Sequence, residues 1–312
     1  MNLPYLNAMQ GALRLSDWGL IRAQGVDAAS FLHGQLTQDV QHLDARGARL
    51  AGYCSVKGRL LASGVLWRRG SDELLLACSA DVLPATLKRL SMFVLRAKCK
   101  LSDAAPSLAL HGLAGAPATA WLGASAPTSP WQCNDVAGGQ VIRLPDALGL
   151  ARYLMALPVD APALPLPALA PEAWQWLEVS SGMARIVAAT VEQFVPQMIN
   201  FEIAGGVNFQ KGCYPGQEVV ARSQYRGTIK RRAFVFASDA AAQPGQEVFH
   251  SADAQQPAGK VVNAASFAGS HVALVEVKLA ALESGTLHLG TGDGPTLTRT
   301  AQPYDVPLEA VA

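Results

Sequence analysis

The segment KGCYPGQE, residues 211–218, places an amine (Lys211), a thiol (Cys213), a phenol (Tyr214), an amide (Gln217) and a carboxylate (Glu218) close together, with Gly216 beside them. Pro215 suits the first turn of a helix continuing through EVVARS. Lys211, Cys213 and Tyr214 would then lie at or just before a helix N-terminus, where unpaired N–H groups and the helix dipole favour negative charge. A thiol so placed, with a lysine two residues away, ionises more readily than a free cysteine. The segment predicts a functional thiol, Cys213, with Lys211 as its activator. The plainer alternative is a turn with a buried cysteine and a solvated lysine.

The other cysteines, Cys54, Cys78, Cys99 and Cys133, are far apart and form no CxxC pair. That spacing predicts no structural zinc site and no iron–sulfur cluster held by this chain alone. Each reads as a free thiol acting as a small buried hydrophobe. Upstream, PQMIN sets Gln197 and Asn200 beside Pro196, and Gly205-Gly206 permits a tight backbone excursion. Downstream lies a basic run of Arg222, Arg226, Lys230, Arg231 and Arg232. It reads either as a solvated charged face or as a cradle for a polyanion, such as glutamate carboxylates or RNA phosphates.

Periodicity and turn chemistry predict the elements that position these residues. Residues 13–25 read as a strand pair bending near Asp17-Trp18-Gly19. Asp27 reads as the N-cap of a helix over 28–40 that buries Phe31, Leu32, Leu36 and Val40. Residues 49–69 hold two extended runs broken at Lys57-Gly58, and 60–79 form a hairpin. Asp81 opens a helix with Pro84 in its first turn, and shorter strands are expected at 107–111, 139–144 and 150–156. The proline- and alanine-rich stretch 157–171 is a linker or surface loop, followed by a helix from Pro171 that ends at Gly182. From about 229 onward, short strands punctuated by Gly and Pro predict a small separate β-barrel or sandwich.

A chain of 312 residues accommodates two or three domains. With 50% hydrophobic and 16% charged residues it is globular, and a net charge of +1 gives no whole-chain grip on nucleic acid. No apolar run approaches the roughly 18 residues needed to cross a bilayer, and no signal-peptide pattern opens the chain. A cytoplasmic protein with no membrane partner is expected.

Five stretches, in order LSDWGLI, FLHGQLTQDV, YCSVKGRLLA, EAWQWLEV and FVPQMINFEIAGGVNFQKGCYPGQEVVARSQYRGTIKRR, resemble the YgfZ family of folate-binding proteins. That family is related in fold to the aminomethyltransferase, or T-protein, of the glycine cleavage system. The resemblance implies an α+β fold: a three-domain ring of two α/β domains and a small C-terminal β-barrel. Residues 1–45 and 145–228 would form a discontinuous folate-binding domain, 46–144 an inserted α/β domain, and 229–312 the barrel.

Trp18 and Trp176 match tryptophans assigned to folate binding in that family, and an indole offers a flat aromatic ligand a stacking face. Gln197, Asn200, Tyr214, Gly216, Gln217 and Glu218 complete the cofactor site that the resemblance implies. T-proteins carry GGxxDDxxxY where this chain reads GRLLASGVLW, so their acidic pair falls on Ala62 and Ser63. Neither residue can manage protons at neutral pH, which argues against glycine-cleavage chemistry.

The function implied is binding of tetrahydrofolate or a derivative by an accessory protein rather than a classical enzyme. It would support iron–sulfur cluster assembly or repair in client enzymes, including tRNA-modifying ones, with iron–sulfur client or assembly proteins as partners. Two alternatives stay open. One is a folate-dependent one-carbon transferase or demethylase whose acid–base group is Glu218 or another carboxylate. The other is an RNA-binding module that contacts tRNA directly through the basic run.

Overall fold

Apolar residues on both faces of the central strands demand a covering layer on each side. The computed structural model, which describes residues 5–226 and 229–307, provides those layers. Its first part runs β1 (Gly11–Arg14), β2 (Trp18–Gln24), α1 (Ala28–His33), β3 (Ala48–Cys54), β4 (Leu60–Arg68), β5 (Glu73–Ser79), α2 (Leu83–Met92) and β6 (Lys100–Asp103). There follow β7 (Leu108–Ala114), α3 (Gly115–Leu122), β8 (Cys133–Val136), β9 (Gly139–Ala147), β10 (Leu150–Pro158), α4 (Pro171–Ser180) and α5 (Gln217–Tyr225). The last part comprises β11 (Arg231–Ser238), β12 (Glu247–His250), β13 (Asp253–Phe267), β14 (Ser270–Lys278), β15 (Leu287–Leu289) and β16 (Thr296–Arg299).

The strands form one sheet in the order β1-β7-β10-β9-β8, another in the order β3-β4-β5-β2-β6, and a closed barrel β11-β14-β13-β12-β15-β16. Alternation decides which layer each side chain joins. On β5, Leu75 and Ala77 enter the central core, while Leu74, Leu76 and Cys78 enter a second core with Phe31 and Leu32 of α1 and Leu83 and Leu90 of α2. On β10, Leu154 and Ala156 face the central core, while Tyr153, Met155 and Leu157 join Ala118 and Leu122 of α3. The central core thus draws on both sheets, on α4 and on barrel residues such as Val235, Val262 and Leu274. A polar tie crosses it, Trp67 Nε1 donating to Gln140 Oε1 at 2.9 Å.

Several sequence expectations need correction. The strands within 13–25 do not pair with each other: β1 pairs with β7, and β2 with β5 and β6. The bend between them carries the chain from one sheet to the other. The helix expected over 28–40 stops at His33, because the Thr37 N–H donates instead to Gly52 O of β3 at 2.9 Å. Asp27 makes no side-chain cap; its carboxylate accepts the Lys98 N–H at 2.7 Å.

Strand pairing crosses the expected domain boundaries at 45/46 and 144/145. β2 is hydrogen-bonded into the sheet of β3–β6, and β7 joins β1 to β10. The stretch 157–171 returns along β1, Pro167 O accepting from Ala12 N–H and Ala12 O from Leu169 N–H, each at 2.9 Å. No helix among the described residues is long and apolar enough to cross a membrane.

Candidate functional site: a central cavity and a displayed thiol

Helix α4 starts on Pro171, whose fixed φ and missing N–H suit a first turn, and the chain turns away at Gly182 with φ +67°. It packs against β13 and β14 of the barrel. On another face its Trp174 lies so close to β7 that a Cβ on Gly112 would come within 2.8 Å of the indole. Wedged between sheet and barrel, α4 leaves a cavity of about 900 Å³, counting its part open to solvent. The polar residues that matter there are Trp18, Ser63, Arg152, Glu178, Arg185 and Asn263.

These side chains form a charge-balanced network. Trp18 Nε1 donates to Glu178 Oε1 at 3.1 Å, and Arg185 lies over the Trp18 ring, 4.9 Å from its centroid. Arg185 donates to Asp17 Oδ2 at 2.5 Å and to Glu178 Oε2 at 3.4 Å. Burial pushes the Glu178 carboxyl above the usual range, opposed chiefly by Arg185. Asn263 of β13 clips the segment after α4 through the backbone of Arg185, accepting its N–H at 2.9 Å and donating to its carbonyl at 2.8 Å. Ser63 Oγ accepts the Ile186 N–H at 2.9 Å from the β4 side. Ser63 therefore lines the cavity with a hydroxyl, while Ala62 is buried in the α1/α2 core.

Arg152 is only 2% exposed, at the floor of the cavity. Its Nε donates to Pro145 O at 3.1 Å, and its guanidinium lies 5.5 Å from the Trp174 ring centroid. Its Nη1 is buried with no partner among the described residues. Burial lowers its pKa to about 10, against the pull of Glu178 and Asp146, so it stays charged at neutral pH.

The KGCYPGQE segment is built elsewhere. The Lys211 ammonium donates to the carbonyls of His33 and Leu36, the latter at 3.0 Å, and lies 4.8 Å from the Tyr214 ring centroid. Burial lowers the Lys211 pKa to about 8, with Asp39 and then Cys213 opposing the shift. Tyr214 is 6% exposed in the central core. Gly216, at φ +79°, is the N-cap residue of α5, which puts Pro215 before the cap rather than in the first turn.

A Cβ on Gly216 would lie 2.3 Å from Ser55 O and 2.7 Å from the Gly58 backbone, in a left-handed conformation that disfavours side chains. Gly216→Ala is expected to cost about 2–3 kcal/mol in urea unfolding. Gln217 begins α5 and Glu218 is exposed in its first turn. The segment thus clamps the end of α1, the 55–59 turn and the start of α5, and leaves Cys213 exposed. Cys54, Cys78 and Cys133 are buried, their pKa values pushed up to about 12 by burial, and Cys99 is half-buried.

The residues expected to form one cofactor site are therefore dispersed. Trp18 lines the cavity, whereas Trp176 is 7% exposed in the core and outside the lining. Gln197 Nε2 donates to Val220 O at 2.9 Å, and Asn200 Nδ2 donates to Ala233 O of β11 at 2.6 Å. Gln197, Asn200, Tyr214, Gly216, Gln217 and Glu218 do not line the cavity. In the basic run, Arg231 pairs with Glu276 and Arg232 with Glu202. Among the described residues no cluster of His, Cys, Asp and Glu is arranged to hold a metal ion.

Sequence reasoning missed Arg152, Glu178 and Arg185, which are scattered along the chain. Arg152 did leave a signal: a cation inside the apolar run LARYLMALP needs a buried purpose.

Comparison with solved structures places the fold. Aminomethyltransferase T of the glycine cleavage system from Bartonella henselae superposes with a TM-score of 0.74, covering 97% of this chain and 90% of that one at 17% identity. The chain thus has the aminomethyltransferase fold, with a closed C-terminal barrel. Searching protein-family models gave no match. Curated relatives called tRNA-modifying protein YgfZ do match. The Edwardsiella ictaluri protein is 37% identical over 234 residues, 71% of this chain and 69% of its own. The Photorhabdus laumondii protein is 30% identical over 305 residues, 94% of this chain and 92% of its own. The chain belongs to the YgfZ family.

Proposed function

We propose that this chain is a tetrahydrofolate-binding accessory protein that serves iron–sulfur client enzymes acting on tRNA. The observation that carries the folate half is the cavity between the two sheets, α4 and the barrel, with an indole at its edge and a buried guanidinium Nη1 lacking a partner. A partly open, largely apolar cavity with a few placed polar groups suits a flat bicyclic head, with the tail toward solvent. Trp18 supplies a stacking surface, Glu178 an acceptor and Arg152 a donor. Tetrahydrofolate, when bound, supplies one-carbon carrier chemistry.

Exposure of Cys213, on a segment that does not line the cavity, favours a thiol offered to other proteins. The relatives' name, tRNA-modifying protein, supports clients that act on tRNA. The cytoplasm is the compartment in which such a free thiol stays reduced. Of the rival readings, the one-carbon transferase would have to use Glu178, which lines the cavity, rather than Glu218, which sits outside it. The basic run spends Arg231 and Arg232 on ion pairs, which weakens its use as an RNA cradle.

Fluorescence titration with tetrahydrofolate tests the reading. Binding is expected to quench tryptophan emission. Trp18→Phe should remove most of the ligand-dependent change, and Trp176→Phe should preserve it. Absence of binding to the unmodified protein would sink the folate reading.

A further inference from the structure

We propose that Arg152 selects the head group of the ligand, its free Nη1 donating to the ring carbonyl of a 4-oxo pteridine and rejecting 4-amino analogues. The inference rests on the folate reading above and adds which chemical edge is read, and by which residue.

Arg152 is the cavity group with an unmet demand. Its Nε is satisfied by Pro145 O, while its Nη1 is buried without an acceptor. An unpaired donor of this kind is costly in a folded protein unless a ligand or an ordered water completes it. By contrast, Arg185 directs its guanidinium to Asp17 and Glu178 and also reaches Asp17 O at 3.0 Å. Trp18 Nε1 is likewise engaged, by Glu178. Arg152 lines the cavity, and among the lining residues its Nη1 is the buried side-chain donor left without an acceptor.

Charge balance says what kind of acceptor. Around the cavity Arg152 and Arg185 are matched by Asp17 and Glu178, so the cluster is neutral without a ligand. A ligand carboxylate driven to the floor would add an unmatched, desolvated charge, whereas a neutral carbonyl oxygen satisfies the donor without one. The solvated tail carboxylates of a folate belong toward the open end of the cavity. A ring carbonyl beside ring N–H groups also fits the remaining chemistry, because the Glu178 oxygens keep acceptor capacity beyond their contacts with Trp18 and Arg185. A 4-amino group in the same place would turn N–H toward N–H, and a site built around a hydrogen bond discriminates strongly against a partner of the wrong polarity.

The test compares tetrahydrofolate with its 4-amino-4-deoxy counterpart by anaerobic titration calorimetry, adding p-aminobenzoylglutamate as the tail alone. The unmodified protein is expected to bind the 4-oxo compound on the order of 100-fold more tightly than the 4-amino compound. The tail alone should compete weakly. Arg152→Met, checked for folding by circular dichroism, is expected to lose affinity for the 4-oxo compound and to bind the pair within about threefold of each other.

Equal or tighter binding of the 4-amino compound by the unmodified protein overturns the role of Arg152 and leaves the folate reading standing. Strong competition by the tail that disappears in Arg152→Met also overturns it, by assigning Arg152 to a carboxylate. Failure of every pteridine to bind removes both readings.

Discussion

Arg232→Met is expected to lower the unfolding free energy by about 3–5 kcal/mol. Arg232 and Glu202 form an ion pair with side chains only 3% and 7% exposed, joining barrel strand β11 to the turn after Pro196. Arg232 also donates to Gln197 O at 3.0 Å. Removing the guanidinium strands a buried carboxylate that already has one unpartnered oxygen. Burial raises the Glu202 pKa, and Arg232 is the main opposing influence.

The sign of the pH dependence follows. With its folded pKa above the unfolded value, the native state holds the Glu202 proton more strongly, so stability falls as pH rises through the folded pKa. Loss of Arg232 raises that pKa further. The deficit of the variant should be largest near neutral pH and should narrow as pH falls toward the unfolded carboxylate value of about 4. Urea titrations at several pH values read this out. Arg222→Met, at an exposed position on α5, should stay within about 0.5 kcal/mol of the parent. Equal effects of the two substitutions would show that the ion pair does not hold the barrel to the body.

Cys213→Ala is expected to separate the two halves of the proposed function. The side chain is exposed and outside the cavity, so stability should change by less than about 0.5 kcal/mol and tetrahydrofolate affinity should be unaltered. In cells lacking the natural protein, the variant should fail to sustain iron–sulfur-dependent tRNA modification. The modified nucleoside, measured by mass spectrometry of bulk tRNA, should drop to the level of the deletion. Full modification with Cys213→Ala would remove the thiol from the mechanism while leaving the cavity its role.

Much of the fold was legible because strand pattern and turn chemistry coincided. The β4–β5 hairpin, the Pro171 helix and the barrel's short strands each carried two agreeing signals. Elements without such agreement were missed. KLSD (β6) is short and polar, and GAPATAWL (α3) has a weak apolar stripe and begins with glycine.

Competition for backbone groups explains the other failures. Nothing local tells Thr37 that its N–H will find Gly52 rather than a helix carbonyl. The site was legible in the same uneven way. Trp18 and Ser63 were singled out by motif position, and both line the cavity. Trp176, singled out in the same way, is buried in the core, and the polar groups of KGCYPGQE, close in sequence, lie outside the cavity. In three dimensions Lys211 and Tyr214 face inward to hold loops together, and the charges that line the cavity come from β10, α4 and the segment after it.

The wall of the cavity has a further consequence for how the protein is made. Its lining is assembled from β2 and β4 early in the chain, β10 and α4 midway, and Pro244, Asn263 and Ala264 near the end. A nascent chain that has emerged only as far as β10 therefore carries two sheets whose inner apolar faces still await α4 and the barrel. No ligand can rescue such an intermediate by binding, because its site does not exist until the final third has been translated. Ribosomal stalling before the barrel would yield a product with exposed core and no pocket, one that quality control can recognise and that added folate cannot protect.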